Sequence, residues 1–227
     1  MDRYVSVIGF SPNIVTRPMI AHGISKGDTV DLIRAEQTNE RDANRAEDAV
    51  EGVKSTLEGA VGEVTVNVTT LSDLTFGAVV TACSEIITAA NPPIVCLGSG
   101  ASELHLPMTV ATTAHQEYIK STMAYGDIQA TATEITIPPL ANDLPGRARD
   151  TFRTLGGHDD DRLPLATLAQ MCDHSRSTAS RHAKTLEDHG YVRTTTEKKS
   201  KLVELTPFGK LKYRSLRTDK PAPPSEH

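Results

Sequence analysis

Residues 165–192 confine this part of the chain to a narrow set of folds. They run L-A-T-L-A-Q-M-C-D-H-S-R-S-T-A-S-R-H-A-K-T-L-E-D-H-G-Y-V. Leu165, Leu168 and Ala169 recur at spacings of three and four, which gives a short helix one apolar face. Cys172-Asp173-His174 reads as a turn, and Ser175 as the N-cap of a second helix. In that helix Ala179, His182, Ala183 and Leu186 form a stripe for burial, with His182 read as a packed histidine. Ser177, Ser180, Arg181 and Lys184 form the opposite stripe. Gly190 ends the helix, and Tyr191-Val192 begin a strand. A hairpin over 194–205 and a last helix over 207–216 follow, and 147–155 reads as a helix upstream.

Helix, turn, helix, hairpin and helix in this order make a winged helix–turn–helix, which points to double-stranded DNA as a partner. One face of the second helix offers hydroxyls and cations, as a helix entering the major groove requires. Arg181 pairs either with a guanine edge or with phosphate, and the sequence leaves both open. Arg176 at the helix start is expected on the DNA backbone. The hairpin tip contributes Lys198, Lys199 and Lys201, expected along the phosphates.

Charge divides the chain in the same way. Residues 1–145 hold 8 Lys/Arg against 18 Asp/Glu, and residues 146–227 hold 16 against 11. An acidic front and a basic back fit a sensor joined to a DNA-binding module.

The front reads as strands alternating with helices. Strands are expected over 4–9, 29–34, 64–68 and 94–97, helices over 14–22, 40–57, 75–90 and 102–118, and β-rich chain over 126–137. This alternation implies an α/β domain with a mainly parallel sheet. Two loops leave strand ends, at 9–13 and 98–102. In open α/β sheets ligands collect outside the carboxyl ends of strands, where the strand order reverses. Glycine there lets backbone N–H groups approach a phosphate, and a following helix start adds partial positive charge. Neither loop is G-x-G-x-x-G. Gly98-Ser99-Gly100 alone also fits an ordinary tight turn. Ser11 and Asn13 also fit helix N-caps, and Arg17 reaches either a phosphate or water.

No apolar run is long enough for a transmembrane helix, and the first residues lack a signal-peptide pattern. A cytoplasmic protein without membrane contact is expected. Cys83 and Cys96 sit in apolar stretches and read as core residues. No C-x-x-C pair occurs, so no metal site is expected, and His158 with Asp159, Asp160 and Asp161 reads as a solvated acidic loop. The expected organisation is a sensor over 1–138, a proline-rich linker over 139–146, the winged helix over 147–217 and a disordered tail over 218–227.

The 165–192 segment, with the later L-V-E-L-T-P-F-G-K, resembles the MarR/ArsR-type winged helices of bacterial and archaeal regulators. The front opens V-S-V-I-G-F-S-P-N-I-V-T-R-P and carries a second glycine loop, L-G-S-G-A-S-E-L-H. Joined to a winged helix, this resembles the CRISPR-associated Rossmann-fold (CARF) regulators of archaea, of the type I-A winged-helix kind and their haloarchaeal relatives. The resemblance implies a Rossmann-like CARF sensor and a homodimer whose pocket takes a nucleotide-type effector, a cyclic oligoadenylate such as cyclic tetra-adenylate. It places Phe10, Ser11, Pro12 and Asn13 with Gly98, Ser99, Gly100 and Ala101 at that pocket. The reading of the two loops and the first helix adds Gly9, Ser102 and Arg17 as candidate ligand-binding residues. Many relatives carry a basic residue after the second glycine pair, where this chain has Ala101-Ser102-Glu103. No resident cofactor and no enzymatic activity are expected. The alternatives are an unrelated metabolite as effector, or a metal-independent nuclease opening the ring with Ser11, Ser99 and Arg17, since neither loop holds His or Lys.

Overall fold

The computed structural model describes residues 1–98, 101–126, 129–137, 144–158, 160–197 and 200–217. Two compact units divide the chain, Met1–Ile137 and Pro138–His227.

The first unit is built around β1 (Arg3–Val7), in which every residue from Tyr4 to Val7 is buried. A strand covered on both faces reads as an apolar run rather than an alternation. Tyr4 packs with Val15 and Met19 of α1 (Pro12–His22) and Val50, Val53 and Leu57 of α2 (Glu40–Val61). Val5 and Val7 face the other way. They pack with Val79, Cys83 and Ile87 of α3 (Phe76–Thr88) and Leu104, Met108 and Ala111 of α4 (Ser102–Ala114). Successive side chains of a strand point to opposite faces, so one strand anchors both helical layers.

The remaining strands are β2 (Thr29–Ala35), β3 (Thr65–Leu71), β4 (Ile94–Leu97), β5 (Ser121–Gly126) and β6 (Thr131–Ile135), in the order β3-β2-β1-β4-β5-β6. All neighbours are parallel except β5 and β6. The sheet is thus mainly parallel and doubly wound, and its order reverses between β1 and β4. Two sequence expectations need correction here. The helix expected to reach residue 118 ends at Ala114, where the His115 N–H closes on Ala111 O. Strand β5 was not legible, because Ser121–Gly126 becomes a strand through its parallel pairing with β4 (Ile94↔Ser121 to Leu97↔Ala124).

Gly98 follows β4 directly. A Cβ there would collide with the Ile14 side chain and stand 3.1 Å from the Ile14 carbonyl oxygen. Glycine is required at 98 so that the first turn of α1 can close on the end of β4. The sequence reading gave it either the approach of a phosphate or an ordinary tight turn, and not this contact with Ile14.

The second unit contains a 3-10 turn (Gly146–Ala148), α5 (Arg149–Gly156), β7 (Arg162–Pro164), α6 (Leu165–Met171) and α7 (Arg176–Asp188). The hairpin of β8 (Val192–Glu197) and β9 (Ser200–Leu205) follows, then α8 (Pro207–Arg217). The strands form an antiparallel sheet of order β7-β9-β8. Phe152, Leu155, Leu168, Leu186, Tyr191 and Val203 are fully buried at its centre. Leu144 and Ala148 join this core, so the expected linker over 139–146 loses its end to the second unit, because an apolar side chain there has a core to enter. The short β7 was also not legible. Residues 138–143 and the expected tail at 218–227 lie outside the described residues.

Helix α8 is fastened to the end of α7. Thr206 Oγ1 donates to Gly190 O at 2.7 Å and accepts from the Gly209 N–H at 3.0 Å. A Cβ on Gly209 would strike the Tyr191 carbonyl oxygen. Overpacking of this kind costs about 1–3 kcal/mol. Gly98→Ala should therefore lower the denaturation midpoint of the first unit. Gly209→Ala should cost the second unit more, because its obstacle is backbone whereas Ile14 can partly turn away. Denaturant titration of both variants checks the ranking, and an unchanged midpoint in either removes the packing account for that glycine.

Candidate functional site

The helix–turn–helix is set by local bonds. Asp173 takes a left-handed backbone, φ 52°, between α6 and α7. The His174 N–H then reaches Ala169 O at 2.9 Å. Ser175 caps α7 by accepting from the Thr178 N–H at 3.1 Å, as its position in the sequence indicates. Ala179, His182, Ala183 and Leu186 are buried. Arg176, Ser177, Arg181 and Lys184 are exposed on α7, and Ser180 is half-buried. The polar stripe read from the sequence is thus the accessible face of a continuous helix. Lys184 pairs with Asp188 at 2.7 Å, one turn on. A phosphate would have to compete with this exposed pair, which costs little.

The hairpin is tied to α7 through Glu187, which accepts from the Thr194 N–H at 2.7 Å and the Thr194 hydroxyl at 2.8 Å. Arg193 grips Glu204 across the strands at 2.9 and 3.1 Å, and Arg162 of β7 pairs with Glu197 at the tip. Lys201 is half-buried, while Lys198 and Lys199 lie outside the described residues.

His182 is 6% exposed and packed under the recognition face. Its Nδ1 lies 2.9 Å from the Thr151 hydroxyl, and its ring meets His174 edge to face at 5.1 Å. Burial, then the nearby His174 and Arg181, hold its pKa below the ordinary 6.5.

At the other end of the chain a cavity of about 500 Å³ opens where β1 and β4 part. Gly9, Phe10 and Ser11 line it from the loop after β1, and Ala101 from the loop after β4. The two loops are adjacent, since a Cβ on Gly9 would stand 3.9 Å from Ala101 N. Ser11 holds the N-cap position of α1 but makes no side-chain capping bond. The capping role read for it is corrected, since Pro12 at the first helical position already dispenses with one N–H. Pro12 turns toward Gly52 of α2, and Asn13 is exposed. Arg17 leans away from this cavity onto Tyr125 of β5, with its guanidinium 5.7 Å from the ring centre and a hydrogen bond to the phenol oxygen. A second cavity of about 470 Å³ lies on that side, lined by Gly98, Ser102, His105 and Tyr125. Ser99 and Gly100 lie outside the described residues.

Sequence reading missed Arg34, Gln37 and Arg45, which line the first cavity opposite the loops. It also missed His105, whose buried Nδ1 has no hydrogen-bond partner. Arg34 lies near the carboxyl end of β2, so the parallel pairing of β1 with β2 was the signal that would have found it. Among the described residues no three His, Cys, Asp or Glu are grouped to hold a metal. Cys83 and Cys96 are buried free thiols. Burial pushes Cys83 up to about 11 and Cys96 higher still, so neither is a ready nucleophile.

Residues 147–196 match the IclR helix-turn-helix domain. Among solved structures, the chain is similar to the heme sensor PefR of Streptococcus agalactiae, with 24% identity over 34% of this chain and 54% of that one, at a TM-score of 0.31. It is similar to MepR, a transcription regulator of the Staphylococcus aureus multidrug efflux pump MepA, with 20% identity over 33% and 56%, at 0.31. A MarR family regulator from Silicibacter pomeroyi shares 29% over 34% and 51%, at 0.29. The chain therefore spans about half the length of these regulators. No curated protein matches it. The second unit is a winged helix–turn–helix whose residues 147–196 are of the IclR helix-turn-helix kind.

The lowered His182 pKa has a defined sign. Burial makes the folded unit harder to protonate at His182 than the unfolded chain, whose imidazole takes up its proton near the ordinary 6.5. Folding stability should therefore fall as pH drops below that value. His182→Gln should remove this part of the pH dependence. Urea titrations at pH 7.5 and 5.5 check it, and an equal loss in both proteins places the proton uptake elsewhere.

Proposed function

We propose that the protein is a homodimeric, effector-responsive transcription regulator whose first unit is a CARF-type, Rossmann-like sensor for a nucleotide, with a cyclic oligoadenylate such as cyclic tetra-adenylate the leading effector. The observation that carries this reading is the pairing, in one chain, of an exposed cationic recognition helix with a cavity at the reversal point of a doubly wound sheet. Two copies related by a two-fold axis fit a two-fold operator, because recognition helices then enter successive major grooves about 34–36 Å apart. The effector acts by binding one dimer geometry better than another, which shifts DNA affinity by that difference. In this reading the protein is a cytoplasmic regulator and not an enzyme.

One observation favours a second reading, metal-independent opening of the same ring. His105 lines the second cavity with Ser102 and Tyr125, and its buried Nδ1 has no hydrogen-bond partner. Turned into the cavity, the imidazole would accept the proton of a ribose 2′-hydroxyl attacking its adjacent phosphodiester, with water returning a proton to the departing 5′-oxygen. The products would be a 2′,3′-cyclic phosphate and a free 5′-hydroxyl. Labelled cyclic tetra-adenylate recovered intact after incubation rules this out, and linear product establishes it.

DNA affinity should fall with salt, with a slope of log K on log [salt] near −0.9 per phosphate contacted. Arg181→Ala should cost about 1–3 kcal/mol on the specific site if Arg181 reads a base, and Lys184→Ala should weaken all sequences alike. Electrophoretic shifts against DNA flanking the protein's own gene check both. Binding that is absent or insensitive to salt would falsify the regulator reading.

A further inference from the structure

The effector loops contain no cation. The first unit as a whole is acidic, and the only charged side chain close behind the second glycine loop is Glu103. A phosphate ligand therefore needs positive charge from elsewhere, and the first cavity holds two guanidinium groups on its far wall. Arg34 comes from the carboxyl end of β2 and Arg45 from the second turn of α2.

The two are held differently. Arg34 donates through Nε to the Thr70 hydroxyl at 3.0 Å and through Nη1 to Glu47 at 2.7 Å. Its side chain is 23% exposed, while that of Glu47 is 69% exposed. Thr70 fixes the direction of the guanidinium, and Glu47 is a solvated partner that an anion can replace. The Arg45 guanidinium sits over Phe10, with its carbon 4.1 Å from the ring centre, and is half-exposed beside Asp42. Guanidinium planes and aromatic rings are both surfaces on which nucleobases stack.

We infer that Arg34 is the phosphate-binding residue of the effector cavity and that Arg45, over Phe10, is the platform for a purine base, so that the cavity takes a purine nucleotide phosphate. This rests on the nucleotide reading above. It assigns recognition to β2 and α2, where that reading has only the two loops. Volume is consistent, because small-molecule sites fall at about 300–1,000 Å³ and this cavity is about 500 Å³.

Calorimetric titration of the full-length protein with cyclic tetra-adenylate, AMP, adenosine and pyrophosphate tests the assignment. Arg34→Gln should weaken cyclic tetra-adenylate and AMP tenfold or more and flatten their salt dependence, while leaving adenosine unchanged, since a charge-assisted bond is lost. Arg45→Lys keeps the charge but loses the plane, so it should weaken adenosine and AMP and spare pyrophosphate. Glu47→Gln should act in the opposite direction, tightening AMP and pyrophosphate severalfold by releasing Arg34, and so stands even if Arg34→Gln folds poorly. Nucleotide binding that all three variants leave unchanged overturns this inference and spares the effector reading. Pyrophosphate bound through Arg34 with no nucleotide bound overturns the effector reading and the base platform, and keeps the anion site. Binding of none of the four probes overturns both.

Discussion

Strand β1 pairs in parallel with β2 on one edge and with β4 on the other, and the arrangement of the first unit follows from that double pairing. A parallel crossover is right-handed in nearly every fold. The helices that follow β1 and β2 therefore cover one face, and those that follow β3 and β4 cover the other. The loops after β1 and β4 leave side by side and turn to opposite faces. The cavity is the gap they leave. Gly98 keeps that gap narrow by letting Ile14 sit against the end of β4. The place of the site is thus a consequence of strand order, and the loop sequence adds the glycine at 98 that lets α1 close on it.

Charge is distributed to match. The acidic first unit repels polyanions at long range, and the basic second unit attracts them. Within the acidic unit the positive groups at the cavity are local and oriented, Arg34 by Thr70 and Arg45 by Phe10. Glu47, the carboxylate partner of Arg34, stands in solvent, whereas Asp42, the partner of Arg45, is half-buried and also held by Asn39. A small anion can be accepted on those terms, whereas a DNA backbone meets the surrounding acidic surface.

In the second unit the recognition helix is supported from beneath by groups that do not face DNA. His182 and Thr151 hold α7 against α5, Glu187 holds the hairpin, and Thr206 with Gly209 seats α8 under Tyr191. The exposed stripe can be polar and cationic because the opposite stripe carries the packing. Arg181 sits next to His182 in sequence and faces away from it, so a surface residue and a core residue share one turn.

The sequence by itself determined the winged helix down to the Ser175 cap and the buried stripe of α7, because helical period and capping are local properties of the chain. It also determined the alternation of strands and helices in the first unit, and which two loops meet at the carboxyl end of its sheet. It did not reveal β5, β7 or the place of Leu144, whose states depend on partners distant in the chain. Ser11 was legible as an N-cap position, but not that its hydroxyl would make no capping bond. Arg34, Gln37 and Arg45 carried no mark as site residues, since a strand-end arginine and a helix arginine are ordinary surface groups until β1 and β2 are paired. Tertiary structure alone decided that they share a cavity with Phe10, because parallel strand pairing brings together residues far apart in the chain, and no local pattern records that proximity.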